Sequence, residues 1–184
     1  MKSFNEFVCE ATSKQTVVFT FGRMNPPTKG HEALMDFCAK QARQHNAELR
    51  IYLSHTQDRK KNPLSYTEKL DAVRKGMPRY DWAIYNSNYK NPFEIIEKDL
   101  TEYKNIIFCV GEDRAAEFGN GMKRYPNVKV VFIPRPPGAV SATLVRKAAQ
   151  DNKFEEFKSY LPSGFKNDTV AAMNLMFKIQ NALK

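Results

Sequence analysis

Ten residues near the amino end, Gly22-Arg-Met-Asn-Pro-Pro-Thr28-Lys-Gly30-His31, combine two glycines, a guanidinium, a hydroxyl and an imidazole. Those are the parts of an anion site. They follow a short β-branched and aromatic run, Thr16 to Phe21, and precede a segment in which Leu34, Phe37, Cys38 and Ala42 recur at helical spacing. At a strand-to-helix junction, orphan backbone N–H groups and the positive end of the helix macrodipole face whatever sits there. Gly22 and Gly30 let backbone approach a ligand closely. His31 can donate to a phosphate oxygen, and Arg23 and Thr28 add donors. The spacing matches neither G-x-x-x-x-G-K-[ST] nor G-x-G-x-x-G.

The elements that must hold this loop follow from hydrophobic periodicity. Beyond the first strand and helix, Leu49 to Ser54 reads as a strand, Tyr66 to Lys75 as a helix and Trp82 to Tyr85 as a weaker strand. Phe93 to Leu100 reads as a helix, Ile106 to Val110 as a strong strand, and Ala115 to Lys123 as a helix interrupted by Gly119 and Gly121. Val128 to Ile133 is the last strand, ending at Pro134. Strands alternating with helices predict an α/β, Rossmann-like, doubly wound parallel sheet with ligands at the carboxyl ends of its strands. Helices alone come after it: Leu144 to Ala149, Phe154 to Tyr160 and Val170 to Leu183. Met173, Met176 and Phe177 are expected to pack in the core. The expected organisation is an amino-terminal peptide over 1–14, a catalytic domain over 15–150 and a helical extension over 151–184 packed on it.

Composition narrows the partners. Lys and Arg total 29 against 20 Asp and Glu, a formal charge of +9 that favours anions. A basic soluble surface, nucleic acid and a polyphosphate such as ATP all satisfy that charge, although no RNP signature, zinc knuckle or GXXG loop supports nucleic acid. No stretch approaches the roughly 18 apolar residues of a membrane span, so the expected location is the cytoplasm. Cys9, Cys38 and Cys109 show no C-x-x-C spacing and are expected as thiols, with no metal site.

The loop resembles the signature of the HxGH nucleotidyltransferase superfamily, in which a strand runs into G-x-[FM]-x-P-x-[HT]-x-G-H; Thr28 stands for the first His. Val140-Ser141-Ala-Thr143-Leu-Val-Arg146 resembles the family's I-S-x-T-x-x-R, and Val110-Gly111-Glu112-Asp113 its V-G-x-D. The resemblance extends from about Thr16 to Arg146. It implies transfer of a nucleoside monophosphate, AMP from ATP first, to a phosphorylated acceptor, with Mg²⁺ accompanying the triphosphate. His31, Thr28, Arg146, Lys60 and Lys61 would be catalytic. Phe21, Gly22, Arg23, Met24, Gly30, Gly111, Asp113, Ser141 and Thr143 would bind nucleotide. Ser54-His55-Thr56 with Asn62-Pro-Leu-Ser-Tyr-Thr-Glu68-Lys69 is similar to the S-H-T and N-P-F-T-x-x-E-R of archaeal-type nicotinamide mononucleotide adenylyltransferases, though the inserted Asp58-Arg-Lys-Lys61 departs from them. That similarity implies nicotinamide mononucleotide as acceptor and a place in NAD biosynthesis; cytidylyl transfer to a sugar or alcohol phosphate is the alternative.

Several of these residues have a second reading. His55 is either a substrate contact or a polar strand end; Asp113 either meets ribose or caps the following helix. The run Arg59 to Lys61 either covers phosphates or is a solvated face. Trp82 and Asn91 either line an acceptor pocket or serve core packing and turn formation. Phe4, Phe7 and Val8 give the first residues an amphipathic face that would dock on the domain. The same peptide, through Glu10-Ala11, resembles the removable capsid-targeting peptides of tailed-phage head proteins. That would place the protein in a phage head, where a nucleotide-binding scaffold without turnover is the rival to an enzyme. The adenylyltransferase resemblance makes ATP the expected nucleotide over CTP; calorimetric titration showing CTP binding and none of ATP would overturn that preference.

Overall fold

Val17 and Phe19 join the core on one face of the first strand and Val18 that on the other, so a strand buried on both faces was bound to lie centrally. The computed structural model describes residues 14–85, 88–134 and 139–184; the amino-terminal peptide lies outside the described residues. Five parallel strands, β1 (Lys14–Gly22), β2 (Glu48–Leu53), β3 (Ile84–Tyr85), β4 (Tyr103–Gly111) and β5 (Val128–Ile133), run in the order β3-β2-β1-β4-β5. The α/β, Rossmann-like sheet expected from sequence is present. Its order reverses between β1 and β4, whose carboxyl ends are Gly22 and Gly111. Such a switch point leaves a crevice, because the connections from the two strands leave toward opposite faces.

Helices α1 (Lys29–Gln44) and α2 (Tyr66–Gly76) cover one face, burying Met35, Cys38 and Val73 against Val18, Ile51 and Cys109. On the other, α3 (Pro92–Lys98) and α4 (Glu112–Met122) bury Ile95, Ile96 and Phe118 against Phe19 and Phe108. The phenyl rings of Phe19 and Phe108 stack 4.5 Å apart across the β1–β4 seam. Three further helices, α5 (Ala142–Gln150), α6 (Phe154–Tyr160) and α7 (Thr169–Leu183), form a third core with Leu64 and Ala72. The extension is also tied to α1, where Glu32 accepts a hydrogen bond from the Ser163 N–H at 2.8 Å and pairs with Arg79 at 2.9 Å.

Several expectations need correction. Trp82 lies in a 3₁₀ turn, Pro78–Ala83, and only Ile84 and Tyr85 pair with β2. The glycines do not interrupt α4. A Cβ on Gly121 would stand 2.6 Å from the Phe93 ring, so the missing side chain is what lets α4 lie against α3. Met176 is buried, whereas Met173 and Phe177 are exposed on the outer side of α7.

A polar cluster sits at the amino end of β2. Arg50, 5% exposed, pairs with Glu48 at 2.8 Å and Asp99 at 3.3 Å and donates to the Tyr103 hydroxyl at 2.9 Å. Burial raises the Glu48 pKa, but hydrogen bonds from Tyr103, Tyr85 and Arg50 outweigh it and bring the group down to about 2. Removing the guanidinium takes the counter-charge from two carboxylates whose side chains are each 30% exposed. Arg50→Ala is therefore expected to lower unfolding free energy by about 2–3 kcal/mol, less than for a fully buried pair. Urea unfolding checks the value.

Candidate anion and nucleotide site

At the end of β1 the chain must leave the sheet and start a helix within six residues, Arg23 to Thr28. Met24 makes the turn in the left-handed region, φ 43, with its side chain buried. A methionine held there is strained, and the surrounding contacts have to enforce it. Asn25 supplies them. Its amide nitrogen donates to the Leu64 carbonyl at 2.8 Å and its amide oxygen accepts from the Leu64 N–H at 3.0 Å, so the loop is clamped to the segment before α2. The Gly22 carbonyl accepts from Ser54 N–H at 3.0 Å, fastening the carboxyl ends of β1 and β2 together.

Thr28 is the N-cap of α1, and His31 completes a capping box with it. The Thr28 N–H donates to His31 Nδ1 at 3.0 Å, with the Thr28 hydroxyl 2.9 Å from the same nitrogen. An Nδ1 that accepts a backbone N–H carries no proton, so the neutral ring holds its proton on Nε2. Burial pushes the His31 pKa down, the Asp113 carboxylate opposes that shift, Arg23 adds to it, and the result is about 4. At neutral pH His31 is therefore an uncharged Nε2–H donor. Gly30 lies under the Val140 carbonyl, which would stand 3.3 Å from a Cβ there, so the start of α1 meets the segment leading into α5.

Ser141 caps α5 by accepting the Leu144 N–H at 3.3 Å. Arg146, one turn in, donates from Nη1 to the Asn25 carbonyl at 3.0 Å and from Nη2 to Thr143 Oγ1 at 3.1 Å. Burial and the neighbouring Arg23 guanidinium lower the Arg146 pKa, while Asp58 raises it. Two like charges and two helix N-termini thus converge at the switch point. That arrangement is suited to an anion.

Of the sequence-derived residues, the fold brings Phe21, Gly22, Arg23, Met24, Thr28, Gly30 and His31 to the end of β1, and joins Ser141, Thr143 and Arg146 to them. Gly111 is the N-cap of α4 and β4 passes straight into that helix. Asp113 accordingly lies in the first helical turn, not at the cap; its Oδ1 bends over Gly111, where a Cβ would be 2.8 Å away. Lys60 and Lys61 are exposed on a turn closed by Asp58, whose Oδ1 accepts both of their backbone N–H groups. His55 is exposed and stacks on Tyr66 at 3.7 Å. Asn91 is the N-cap of α3, accepting the Glu94 N–H at 3.0 Å. Trp82 is not brought to the site: it is 71% exposed and borders a shallow groove with Asn46 and Leu49, at the amino ends of the strands.

Two residues escaped the sequence reading as site elements. The Asn25 side chain binds only backbone, and its place beside two prolines was the one signal available. Lys69 is wholly buried, with Nζ donating to the Ser54 carbonyl and its pKa pushed down by burial to about 8. It anchors the strand end that carries His55. Cys38 and Cys109 are buried thiols. Among the described residues no group of three or more His, Cys, Asp or Glu side chains could hold a metal, and no helix is long and apolar enough to cross a membrane.

No family model matches this chain, and no curated protein does. Solved structures do resemble it. TmcAL of Thermotoga maritima, solved with alpha-thio ATP bound, superposes with a TM-score of 0.54 at 9% identity, over 86% of this chain and 56% of its own. A macrolide-efflux protein from Streptococcus pneumoniae gives 0.51 at 18% identity, over 80% and 55%. These likenesses establish the fold. The chain spans about half the length of either neighbour.

The lowered His31 pKa has a consequence for stability. Between its ordinary value of 6.5 and about 4, the unfolded chain takes up a proton that the folded chain refuses. Stability is then complete above pH 6.5 and falls as pH drops toward 4. His31→Gln keeps an acceptor for the Thr28 N–H without titrating; urea unfolding at several pH values should show the wild-type fall in that window to be steeper than the variant's.

Proposed function

We propose that this chain is a nucleotidyltransferase that transfers the adenylyl group of ATP to a phosphorylated acceptor, with nicotinamide mononucleotide the first to try, and releases pyrophosphate. The carrying observation is that a neutral His31 Nε2–H donor, the guanidiniums of Arg23 and Arg146 and the N-termini of α1 and α5 converge at the switch point. The alpha-thio ATP of the Thermotoga structure supports an adenine nucleotide in a crevice of this fold.

In the proposed reaction an oxygen of the acceptor phosphate attacks the α-phosphorus in line, the bond from that phosphorus to the bridging oxygen breaks, and pyrophosphate leaves with the electron pair. No covalent enzyme intermediate forms. His31 donates its Nε2–H to a non-bridging α-phosphate oxygen, an interaction that strengthens as charge builds there. Thr28 acts through His31: its N–H and hydroxyl are both directed at Nδ1, which makes it a positioning residue. Arg146, held by Asn25 and Thr143, meets the departing pyrophosphate with the N–H groups those contacts leave over. Lys60 and Lys61, exposed on the turn after β2, are proposed to cover the phosphates. Asp113 is proposed to meet the ribose. The donors around His31 are N–H groups, hydroxyls and guanidiniums, which suit phosphate oxygens, so Mg²⁺ would be held chiefly through the triphosphate.

A nucleotide-binding head scaffold without turnover is separated from this reading by His31. Simple deletion is a poor test, because the buried Thr28 N–H would lose its acceptor at a cost of about 1–2 kcal/mol. His31→Glu keeps a capping box, since Glu is a natural partner at that position, yet supplies no donor to phosphate. His31→Glu and His31→Ala are both expected to lose about 10² to 10³ in kcat, with the Glu variant melting close to wild type. Single-turnover pyrophosphate release and thermal melts on the same preparations test it. Wild-type turnover in a folded variant refutes the role.

A further inference from the structure

A groove of about 460 Å³ runs from the turn after β2 to the end of α7, bordered by Gln57, Asp58 and Arg59 on one side and Asn181 and Lys184 on the other. It adjoins the phosphate site. Asp58 is near enough to Arg146 to raise its pKa, and the far end of the turn leads into Leu64, which Asn25 clamps. The turn is internally ordered, with Asp58 and Asn62 exchanging backbone hydrogen bonds at 2.9 and 3.2 Å.

The charge of this groove is one-sided. Arg59 and Lys184 border it, and the segment from Thr169 to Lys184 carries Lys178 and Lys184 and no acidic residue. Lys178 stands one helical turn before Asn181 and Ala182 and so shares their face. The opposing carboxylate side chain, Asp58, is already turned inward onto the N–H groups of Lys60 and Lys61 and the Asn62 amide. Those contacts hold its pKa down at about 2, so it remains an ion that closes the turn. A reacting phosphate would be satisfied at His31 and Arg146, which leaves Arg59, Lys178 and Lys184 for a second anion.

We infer that the groove is a second anion subsite, which favours over a single-phosphate acceptor such as nicotinamide mononucleotide one that carries a further phosphate beyond the one that is adenylylated. The inference rests on the nucleotidyltransferase reading for the word acceptor, and on the groove alone for the second phosphate. A small sugar bisphosphate and the phosphorylated end of a nucleic acid present the same chemistry.

The test is calorimetric titration of the full chain with its nucleotide site filled by the unreactive α,β-methylene ATP. Ribose 5-phosphate is the single-phosphate control, ribose 1,5-bisphosphate the small probe and a 5′-phosphorylated tetraribonucleotide the nucleic-acid probe. At least one of the two larger probes is expected to bind about tenfold more tightly than the control, and added salt should erode the gain. The Lys178→Ala/Lys184→Ala variant, altered at exposed positions on α7 and at its C-cap, should lose that gain while α,β-methylene ATP binds within about twofold of wild type. A gain for the bisphosphate assigns a small acceptor, and a gain for the oligonucleotide alone assigns a nucleic-acid end. No gain for either probe, or a gain that survives in the double variant, overturns the inference. Failure of the nucleotidyltransferase reading would appear separately, as loss of α,β-methylene ATP binding or absence of pyrophosphate release, and leaves the comparison of phosphate probes intact.

Discussion

The 3.0 Å hydrogen bond from the Thr28 N–H to His31 Nδ1 fixes several properties of the site at once. It gives a partner to an N–H buried with Thr28, it starts α1, and it occupies the imidazole nitrogen that would otherwise be open to protonation. With Nδ1 committed, the ring proton has one place to go, on the nitrogen that remains for a ligand. One backbone contact thereby sets the helix start, the tautomer and the charge of the side chain.

Around that contact the site is assembled by Asn25. Its amide reaches Leu64, 39 residues away, and its carbonyl reaches Arg146, 121 residues away. The loop after β1, the segment entering α2 and the second turn of α5 are therefore connected through one side chain and its backbone. Amide-to-backbone bonds in both directions define orientation as well as distance, which a salt bridge between flexible side chains would not. The strained turn at Met24 persists because Asn25, the next residue, is fixed on two sides.

Much of this was legible in the sequence because it rests on local chemistry. A β-branched run ending at Gly22 must be a strand that stops, and two prolines must delay the next helix until Thr28 can cap it. The capping box was not read, because His stands at the position where Glu or Gln is usual. Features set by distant partners were hidden. Gly121 looks like a helix breaker until Phe93 is seen against it, and Lys69 looks like a surface charge although it is wholly buried under the Ser54 carbonyl. Trp82 reads as a strand residue by type, but the 3₁₀ turn at Pro78–Ala83 takes the chain past that position before pairing begins. The run Arg59 to Lys61 reads as either a cover for phosphates or a solvated face; Asp58 organises the turn by capturing the backbone N–H groups of Lys60 and Lys61, which composition does not reveal.

The neutrality of His31 makes sense against the charges beside it. Arg23 and Arg146 already repel each other across the switch point. A protonated imidazole would add a third positive charge in the same place. It would also require Nδ1 to give up the Thr28 N–H. An uncharged donor avoids both costs while remaining able to hydrogen-bond phosphate. Two charges that attract an anion in the ground state are thus joined to a neutral, oriented N–H, whose interaction grows in proportion to the charge that develops opposite it.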